Sequence, residues 1–537
     1  MQDTTALLVS LINLSLSCYP DRLEYVDKVL SFAQTKATEF ADSPDMHHPQ
    51  SVQHTLALLL APVSSYFNVL TVLALPSYEP LLMLQPYSTR RSIAHAVIAS
   101  ILKHETVIDD SDDVKGILNL CATLVRDQKD RPLPGNPRAP RAGHDLDELA
   151  EEQGWLARMI HLIRSDSLTT QMKLLQTARK EFSEGGERIR WTFPPLIVSA
   201  IRLARRYSEQ SEELGDAYVS SISSLFKFIH QCTSVLYHKV ESSEVCLRLY
   251  LLALAAADEA DFEELAYEFA VQAFTIYEES INESRAQLQA VTLIIGALQV
   301  SRVFGSDNYD TLITKAALHG AKLLKKGQQG TAVALASHMW WQGDLPSPNN
   351  GNAKAPYRDG KRVLECLQKS LRIATSSIDE LTSVQLYCDA LDQYLYYFER
   401  GVEAISSKHI NSLIELINSN LDTLETSAHD NDGAIDLANR AASVSGGATS
   451  GLIEAVNSPE AVIRHFKNTL LYIQARKEGG IIAAGPHSPA LGFSNGTSTG
   501  VFGKHDGRET DSAAEDAAKE LFKDVDVVGP LLRLAGQ

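Results

Sequence analysis

The sequence of 537 residues has few of the patterns that predict β-structure. Few alternating β-branched runs occur, and no Asn-Gly or Asp-Gly pair joins two of them. It also lacks an uninterrupted apolar run of about 18 residues, the length that predicts a transmembrane helix. These absences favour an all-α protein with no membrane span of its own.

Positive charge is in short supply. Lys and Arg number 49 against 67 Asp and Glu, which gives a formal net charge of −18. Binding to nucleic-acid phosphates without sequence preference needs a concentrated positive field. We therefore expect no nucleic-acid partner.

Cysteine is sparse and unpatterned. No CxxC occurs, and each cysteine falls in an apolar helical pattern, which predicts free thiols in a reducing compartment rather than disulfides or a zinc site. The first residues lack the basic region of a signal peptide, so we expect a cytoplasmic location. The six cysteines are Cys18, Cys121, Cys232, Cys246, Cys366 and Cys388.

Catalytic signatures are also missing. Neither a Walker-type GxxxxGK[ST] nor a GxSxG motif occurs. The adjacent His47 and His48 lack a further ligand at a metal-binding spacing, which favours a surface loop. We expect neither an enzyme nor a metal ion or other cofactor.

One stretch, "DDSDD" at 109–113, fits the DDxxD pattern of magnesium-dependent all-α isoprenoid synthases. Hard oxygen ligands at that spacing suit a hard cation, with Asp109 and Asp113 as the ligands. Those enzymes need a second metal motif, which is missing here. The favoured interpretation is that Ser111 and the acids cap a helix. The isoprenoid enzyme stays an alternative.

Helical periodicity runs through most of the chain. Leu288, Val291, Ile295 and Leu298 share one face of a predicted helix within 283–303. Start signals such as Ser167, Ser242 and Asp310 recur with short loops between them. About eighteen helices in antiparallel pairs predict a HEAT-like α-solenoid, a curved rod, with one or two compact bundles as the alternative.

Breaks in this pattern divide the chain. They are of two kinds, Pro-rich or polar loops and low-complexity stretches. The predicted parts are a first solenoid part at 1–126, a Pro-rich flexible linker at 127–144, a central part with a partner groove at 145–342, a loop at 343–358, a C-terminal part at 359–477 with an inserted loop at 427–458, and a disordered tail at 478–537 that includes a short helix near 511–523.

The stretch "RIRWTFPPLIV" at 188–198 places two arginines and a tryptophan ahead of a double proline. Pro194 and Pro195 suit the first turn of a helix, which puts Trp191 and Phe193 on the connecting segment. One interpretation is a buried staple that packs on its own helix pair. The other is an aromatic and arginine site for a partner protein.

Two clusters of opposite charge lie about one helix pair apart. Glu278, Glu279 and Glu283 form the acidic cluster, and Lys322, Lys325 and Lys326 in "KLLKK" form the basic one. Such patches could pair across a two-fold axis between two copies. The alternative is that both are solvated faces.

Several segments, in this order and spacing, resemble a known family. They are "CYPDRLEYVDKVL" (18–30), "HLIRSDSLTTQMKLLQTARKEF" (161–182), "RIRWTFPPLIV", "AYEFAVQAFTIYEESINESRAQLQAVTLIIG" (266–296) and "ALHGAKLLKKGQQGTAVALASHMWW". They resemble the C-terminal part of vacuolar protein sorting-associated protein 35, the large helical-solenoid subunit of retromer, across about 7–475.

The resemblance implies a non-catalytic scaffold of the endosomal coat that sorts membrane proteins toward the Golgi network or plasma membrane. It implies a partner with a metallophosphoesterase fold, vacuolar protein sorting-associated protein 29, held in a concave groove. The implied contact residues are Arg190, Trp191, Phe193, Pro194 and Pro195. Many relatives have phenylalanine and leucine where this chain has Trp191 and Phe193.

The resemblance also implies a homodimer through the acidic and basic clusters, although Asn282 stands where an acid is common in relatives. Association with endosomal membranes would be peripheral and through the complex. The family's N-terminal PRLYLM motif is missing, so we expect a C-terminal portion that does not bind the arrestin-like subunit. A generic HEAT-like transport or adaptor scaffold remains the alternative function.

Overall fold

The computed structural model describes residues 2–41, 43–45, 48–130, 142–343, 355–430, 459–478 and 517–535. It divides into two compact units, Met1–Glu279 and Ser280–Gln537.

The first unit is built from fourteen α-helices in its described ranges. Two 3₁₀ turns, Val69–Ala74 and Gly186–Arg188, connect some of them. The helices are α1 Gln2–Cys18, α2 Leu23–Glu39, α3 Pro49–Ser65, α4 Tyr78–Met83, α5 Tyr87–His104, α6 Ser111–Leu120, α7 Ala122–Val125, α8 Ala142–Ile160, α9 Leu168–Phe182, α10 Ile189–Glu209, α11 Ser211–Leu214, α12 Asp216–Lys239, α13 Ser243–Glu259 and α14 Glu263–Ser280.

The second unit is also built from α-helices in its described ranges, with a 3₁₀ turn at Ser337–Trp340. Residues 517–522 are also helical. Its other helices are α15 Ser284–Val300, α16 Ser306–Ala321, α17 Lys326–Ala336, α18 Gly360–Thr375, α19 Glu380–Glu399, α20 Ser407–Asp430, α21 Pro459–Glu478 and α22 Val528–Ala535.

Helices that follow one another in the chain also pack against one another. In the second unit the contacts run from α15 to α16 and so on to α20, and in the first unit α10 lies against α8, α9, α12 and α13. Over the described residues, β-structure is limited to two isolated bridges, Ile108 with Ile163 and Trp341 with Arg358. The predicted all-α class and the stacking of helix pairs are therefore confirmed.

The helix α15 shows why the periodicity was informative. Leu288, Val291, Ile295 and Leu298 are each at most 3% exposed, because they share the face that packs on the neighbouring helices. Glu283 precedes the helix, and its carboxylate accepts a hydrogen bond from the backbone N–H of Ala286 at 3.3 Å.

The three residues predicted to start helices agree with the structure to different extents. Ser167 caps α9 by accepting from the backbone N–H of Thr170 at 3.4 Å, as predicted. Ser242 holds the N-cap position of α13 without a side-chain capping bond. The prediction for Asp310 is wrong, because α16 begins at Ser306 and Asp310 lies inside it.

The two predicted loops are fixed at their ends. Residues 127–130 lie outside any helix, as predicted, and Asp130 pairs with Arg90 at 2.6 Å; α8 already begins at Ala142, so the predicted linker 127–144 is too long at its C-terminal end. At the second loop, the backbone N–H of Tyr357 donates to the side chain of Gln342 at 3.0 Å. Residues 131–141 and 344–354 lie outside the described residues.

The tail differs most from the prediction. Most of the predicted insertion at 427–458 and residues 479–516 fall outside the described part of the chain, although α20 extends to Asp430. Residues 517–535 pack against other helices of the second unit, with Phe522, Val525 and Val527 each 0% exposed. The helix at 517–522 falls within the short helix predicted near 511–523, whereas the prediction of disorder is wrong for the buried residues that follow it.

Candidate partner-binding surfaces

The chain reverses direction tightly before α10. After α9 ends at Phe182, Gly186 adopts φ +57°, a left-handed conformation that favours glycine. A Cβ on Gly185 would lie 2.9 Å from the carbonyl oxygen of Val125, which is too close for any side chain. Gly185 therefore lets the backbone that leads into α10 pass close to the end of α7.

Arg188 fixes this start. Its side chain is only 9% exposed, and its Nη1 lies 2.7 Å from a carboxylate oxygen of Asp127. The same nitrogen donates to the carbonyl of Gly185 at 3.4 Å. A nearly buried guanidinium needs such partners, so this ion pair holds the first turn of α10 in place.

The first turn carries the predicted site residues. The helix begins at Ile189, so Arg190, Trp191 and Phe193 lie in the helix and not on a connecting segment; the predicted boundary is wrong. Pro194 and Pro195 lie inside the helix and cannot donate hydrogen bonds to the carbonyls of Arg190 and Trp191.

The side chains separate into two groups. Phe193 is 1% exposed and belongs to the core, which removes it from the residues that a partner could touch in this conformation. Trp191 is half-buried, while the side chain of Arg190 is 45% exposed, pairs with Glu187 at 3.7 Å and lies 5.9 Å from the indole centroid. The structure thus presents an indole with a guanidinium beside it.

The outward face of α10 extends this patch. Trp191, Pro194, Pro195 and Val198 are followed on the same face by Arg202 and Arg205. Arg205 pairs with Glu259 of α13 at 2.7 Å. Burial lowers the pKa of His161 nearby, and the charge of Arg202 lowers it further, so the arginines carry the positive charge at neutral pH. Sequence reasoning missed the two arginines, although their spacing from Trp191 indicates the shared face.

The second predicted surface lies at one end of the second unit. The Ser284 hydroxyl at the start of α15 donates to the Gln328 side chain of α17 at 2.7 Å. This contact brings together the N-terminal ends of α15 and α17, and with them Glu283, Lys325 and Lys326, all exposed. An acid and a pair of lysines therefore share this end.

The turn between α16 and α17 adds an apolar residue. Lys322 follows α16 and is exposed. Leu323 is 4% exposed, whereas Leu324 is 85% exposed between the lysines. Two adjacent leucines in a short turn cannot both face the core. The pair of leucines in "KLLKK" therefore indicates that one of them is exposed, and in the structure it is Leu324. Glu278 and Glu279 are exposed in the last turn of α14, in the first unit.

The acidic stretch at 109–113 acts as a helix cap. Asp110, rather than Ser111, accepts from the backbone N–H groups of Asp112 at 2.7 Å and Asp113 at 3.4 Å. Burial raises the pKa of Asp113, and the neighbouring aspartates raise it further. The capping interpretation is confirmed with the cap one residue earlier than predicted.

Other predicted features can be placed as well. His48 caps α3, with its Nδ1 accepting from the backbone N–H of Gln50 at 3.3 Å, while His47 lies outside the described residues. The cysteines are free thiols; Cys18 is exposed and Cys366 partly exposed, and the other four are buried.

The described residues contain neither a metal-binding cluster nor a membrane-spanning helix. In the described ranges, no three or more His, Cys, Asp or Glu side chains form a group that could hold a metal ion. None of the described helices combines the length and apolar character needed to cross a bilayer.

Comparison with known proteins gives consistent relatives. Vacuolar protein sorting-associated protein 35 of Schizosaccharomyces pombe is 32% identical over 475 residues, which cover 88% of this chain and 53% of that protein. Vacuolar protein sorting-associated protein 35B of Arabidopsis thaliana is 35% identical, over 77% of this chain and 51% of the relative. Vacuolar protein sorting-associated protein 35 of Dictyostelium discoideum is 27% identical, over 78% of this chain and 52% of the relative. The chain thus spans about half the length of these relatives.

A solved structure, "Circular tandem repeat protein with novel repeat topology and enhanced subunit contact surfaces", aligns over 99% of this chain and 97% of its own. Its TM-score of 0.24 and identity of 12% are too low to support an argument. The family model described as "Vacuolar protein sorting-associated protein 35" matches residues 1–420. With that match and the relatives' identities, this chain belongs to the vacuolar protein sorting-associated protein 35 family.

Proposed function

We propose that the chain is a non-catalytic scaffold subunit of the retromer endosomal coat, in the sorting of membrane proteins. Membership of the family and the stacked-helix architecture support this role. A scaffold of this kind binds through surfaces rather than through a catalytic cleft. It works in the cytoplasm and reaches endosomal membranes peripherally, through the complex.

The first binding surface is the outward face of α10. The observation that carries it is the half-buried indole of Trp191 with the 45% exposed guanidinium of Arg190 beside it. Tryptophan and arginine dominate the energetics of protein interfaces, and a rigid helix start held by a buried arginine loses little entropy when it binds. The partner is the metallophosphoesterase-fold subunit, vacuolar protein sorting-associated protein 29, which receives the indole in its metal-site pocket. Pro194 and Pro195 flank the contact, and Phe193 supports it from inside the core.

The second surface joins two copies of the chain. In the second unit, Lys322, Lys325 and Lys326 lie in the same turn as the exposed Leu324, and Glu283 precedes α15, whose start contacts α17. A two-fold axis lets the acid of one copy meet the lysines of the other, with an apolar centre between them. Glu278 and Glu279, exposed in the last turn of α14, are further acids proposed for self-association.

Co-purification tests the first surface. The tagged chain, captured at moderate salt, is expected to retain a phosphoesterase-fold protein that mass spectrometry identifies. The Trp191→Ala variant should lose it, whereas Phe67→Ala, which truncates an aromatic side chain 75% exposed elsewhere in the first unit, should retain it. Recovery of an unrelated partner by all three chains would contradict the proposal.

A further inference from the structure

In the second unit, α17 and α19 run side by side from their first turns. A Cβ on Gly327 would lie 3.3 Å from the Cγ2 atom of Thr382, and a Cβ on Gly330 would lie 3.1 Å from a terminal methyl carbon of Leu386. The contact advances by three residues along α17 and by four along α19, so the two helices are parallel and start at the same level. The turns that lead into them therefore lie next to each other.

Each of these turns carries one apolar side chain with almost no cover. Leu324 is 85% exposed in the first turn, residues 322–326, which we call the lysine turn. Ile378 is 101% exposed in the second turn, residues 376–380, which we call the isoleucine turn. By contrast, Ile281, in the turn before α15, is 4% exposed. One exposed apolar residue is ordinary, but two in adjacent turns form an apolar patch, which is typical of interaction sites.

The two turns carry opposite charges, three lysines against two acids. All five charged side chains are exposed, and none forms an ion pair with another residue in the described part of the chain. One acid has a local role, because its carboxylate accepts from the backbone N–H of Thr382 at 2.9 Å and so caps α19. The five residues are Lys322, Lys325, Lys326, Asp379 and Glu380. Their charges are therefore available to groups outside the chain.

Such a surface is complementary to itself. A two-fold axis that passes between the two turns brings Leu324 of one copy against Ile378 of the other. The same axis brings the lysine turn of each copy against the isoleucine turn of the other, so opposite charges meet twice in one dimer. A partner surface of a single charge sign would attract one turn and repel the other. A second copy of the chain therefore fits this surface best.

We propose that two copies of the chain pair through these adjacent turns, with Leu324 and Ile378 at the centre of the interface and with the lysine turn of each copy facing the isoleucine turn of the other. This inference rests on the proposed self-association of the second unit, and it adds the central residues and the register. Glu283 precedes α15, and α17 packs between α15 and α19. Glu283 therefore lies on the far side of the lysine turn, at the rim of the interface.

The apolar centre and the charged flanks contribute in different ways. Exposed ion pairs are individually weak and are screened by salt. A few residues near the centre of an interface carry most of its binding energy. The loss caused by a change at Ile378 should therefore persist at high salt, whereas the loss caused by charge reversal should shrink.

The first experiment is sedimentation velocity on the full chain over a range of concentrations and at two salt concentrations. Ile378→Asp should raise the dimer Kd at least about 30-fold, because each dimer loses this contact twice and gains two carboxylates in its apolar centre. The matched control is Leu471→Asp, which changes a leucine 46% exposed on α21 and should leave the Kd within about twofold of the wild-type value. Both side chains are exposed, so both variants should unfold at the wild-type temperature.

The second experiment tests the register by charge exchange. Reversal of Lys325 and Lys326 to Glu should weaken the dimer at least about tenfold. Addition of Glu380→Lys to that double variant should tighten the dimer again at least about threefold, because attraction between the facing turns is restored. Asp379 stays unchanged because it caps α19. Addition of Glu283→Lys to the double variant is the control and should not tighten the dimer.

Three results would overturn the inference. A dimer Kd for Ile378→Asp within about twofold of the wild-type value would remove Ile378 from the interface. Tightening by Glu283→Lys in place of Glu380→Lys would overturn the register and leave the proposed self-association standing. A wild-type chain that remains monomeric over the whole concentration range would overturn both.

Discussion

The guanidinium of Arg188 lies 2.7 Å from the carboxylate of Asp127. Asp127 precedes α8 and Arg188 follows α9, so their ion pair joins the two ends of the segment that contains these helices. Arg188 is nearly buried, whereas the side chain of Asp127 is 77% exposed. The pair therefore orients the start of α10 while remaining partly screened by water.

Replacing Asp127 with Asn should lower the free energy of unfolding by about 1 kcal/mol, because the nearly buried Arg188 loses its counter-charge. Urea denaturation would measure the change. Glu187→Gln is the matched control: Glu187 pairs with Arg190 on the exposed surface at 3.7 Å, so its loss should cost at most a few tenths of a kcal/mol. Equal costs for the two variants would contradict the structural role of Arg188.

Trp191 and Phe193 should behave in opposite ways when truncated. Phe193→Ala removes a side chain that is 1% exposed and should cost about 3–5 kcal/mol of stability. Trp191→Ala removes a half-buried indole and should cost much less. Thermal unfolding of both variants distinguishes the two roles, and a larger loss for Trp191→Ala would mean that the indole belongs to the core.

This division shows what the sequence could and could not predict. The sequence draws attention to the residues around Trp191, because aromatic and arginine side chains ahead of a double proline are unusual in helical proteins. Which aromatic side chain faces outward was not predictable, because that depends on where the helix begins. The helix starts at Ile189, five residues before Pro194. The glycine turn and the Arg188 ion pair hold this start in place, and the ion pair is a tertiary contact that the local sequence does not show.

The same limit applies elsewhere in the chain. Apolar periodicity identified the buried face of α15 correctly, since it reflects a local repeat. The docking of Phe522 into the second unit depends on side chains far along the chain, such as Phe398 and Asn411. Composition and local periodicity therefore predict the short helix near 511–523 but not its burial against distant side chains.

Charge reversal tests the self-association surface. Changing Lys322, Lys325 and Lys326 to Glu should raise the dimer dissociation constant at least about tenfold, because opposite charges become like charges across the two-fold axis. Sedimentation velocity over a range of concentrations would measure it. The control reverses Lys361, Arg362 and Lys369, which are exposed on α18 in the same unit. The same loss of dimer in both triple variants would contradict the assigned surface.

Asp389 should make stability depend on pH. Burial raises its pKa from 3.8 to about 6, against the lowering effect of the hydrogen bond from Gln385 and the charge of His465. The folded chain holds this proton more tightly than the unfolded chain does. The contribution to stability is therefore complete below the unfolded pKa of 3.8 and is lost as the pH rises through about 6.

Asp389→Asn should consequently raise the free energy of unfolding by about 1–3 kcal/mol near pH 7.5, with a gain that shrinks as the pH falls toward 4. Asp392→Asn provides the contrast, because Asp392 accepts hydrogen bonds from His465 at 2.8 Å and Thr469 at 3.1 Å and its loss should destabilise the chain. Urea denaturation at several pH values would measure both. A destabilised Asp389→Asn chain near pH 7.5 would contradict this assignment.

The most direct test of the scaffold account is calorimetric titration of the purified metallophosphoesterase-fold subunit into the wild-type chain and into Trp191→Ala, with Phe67→Ala as the control. The account predicts that Trp191→Ala raises the Kd about 30- to 1000-fold, equivalent to about 2–4 kcal/mol, while Phe67→Ala leaves it unchanged. A Kd for Trp191→Ala within twofold of the wild-type value would contradict it.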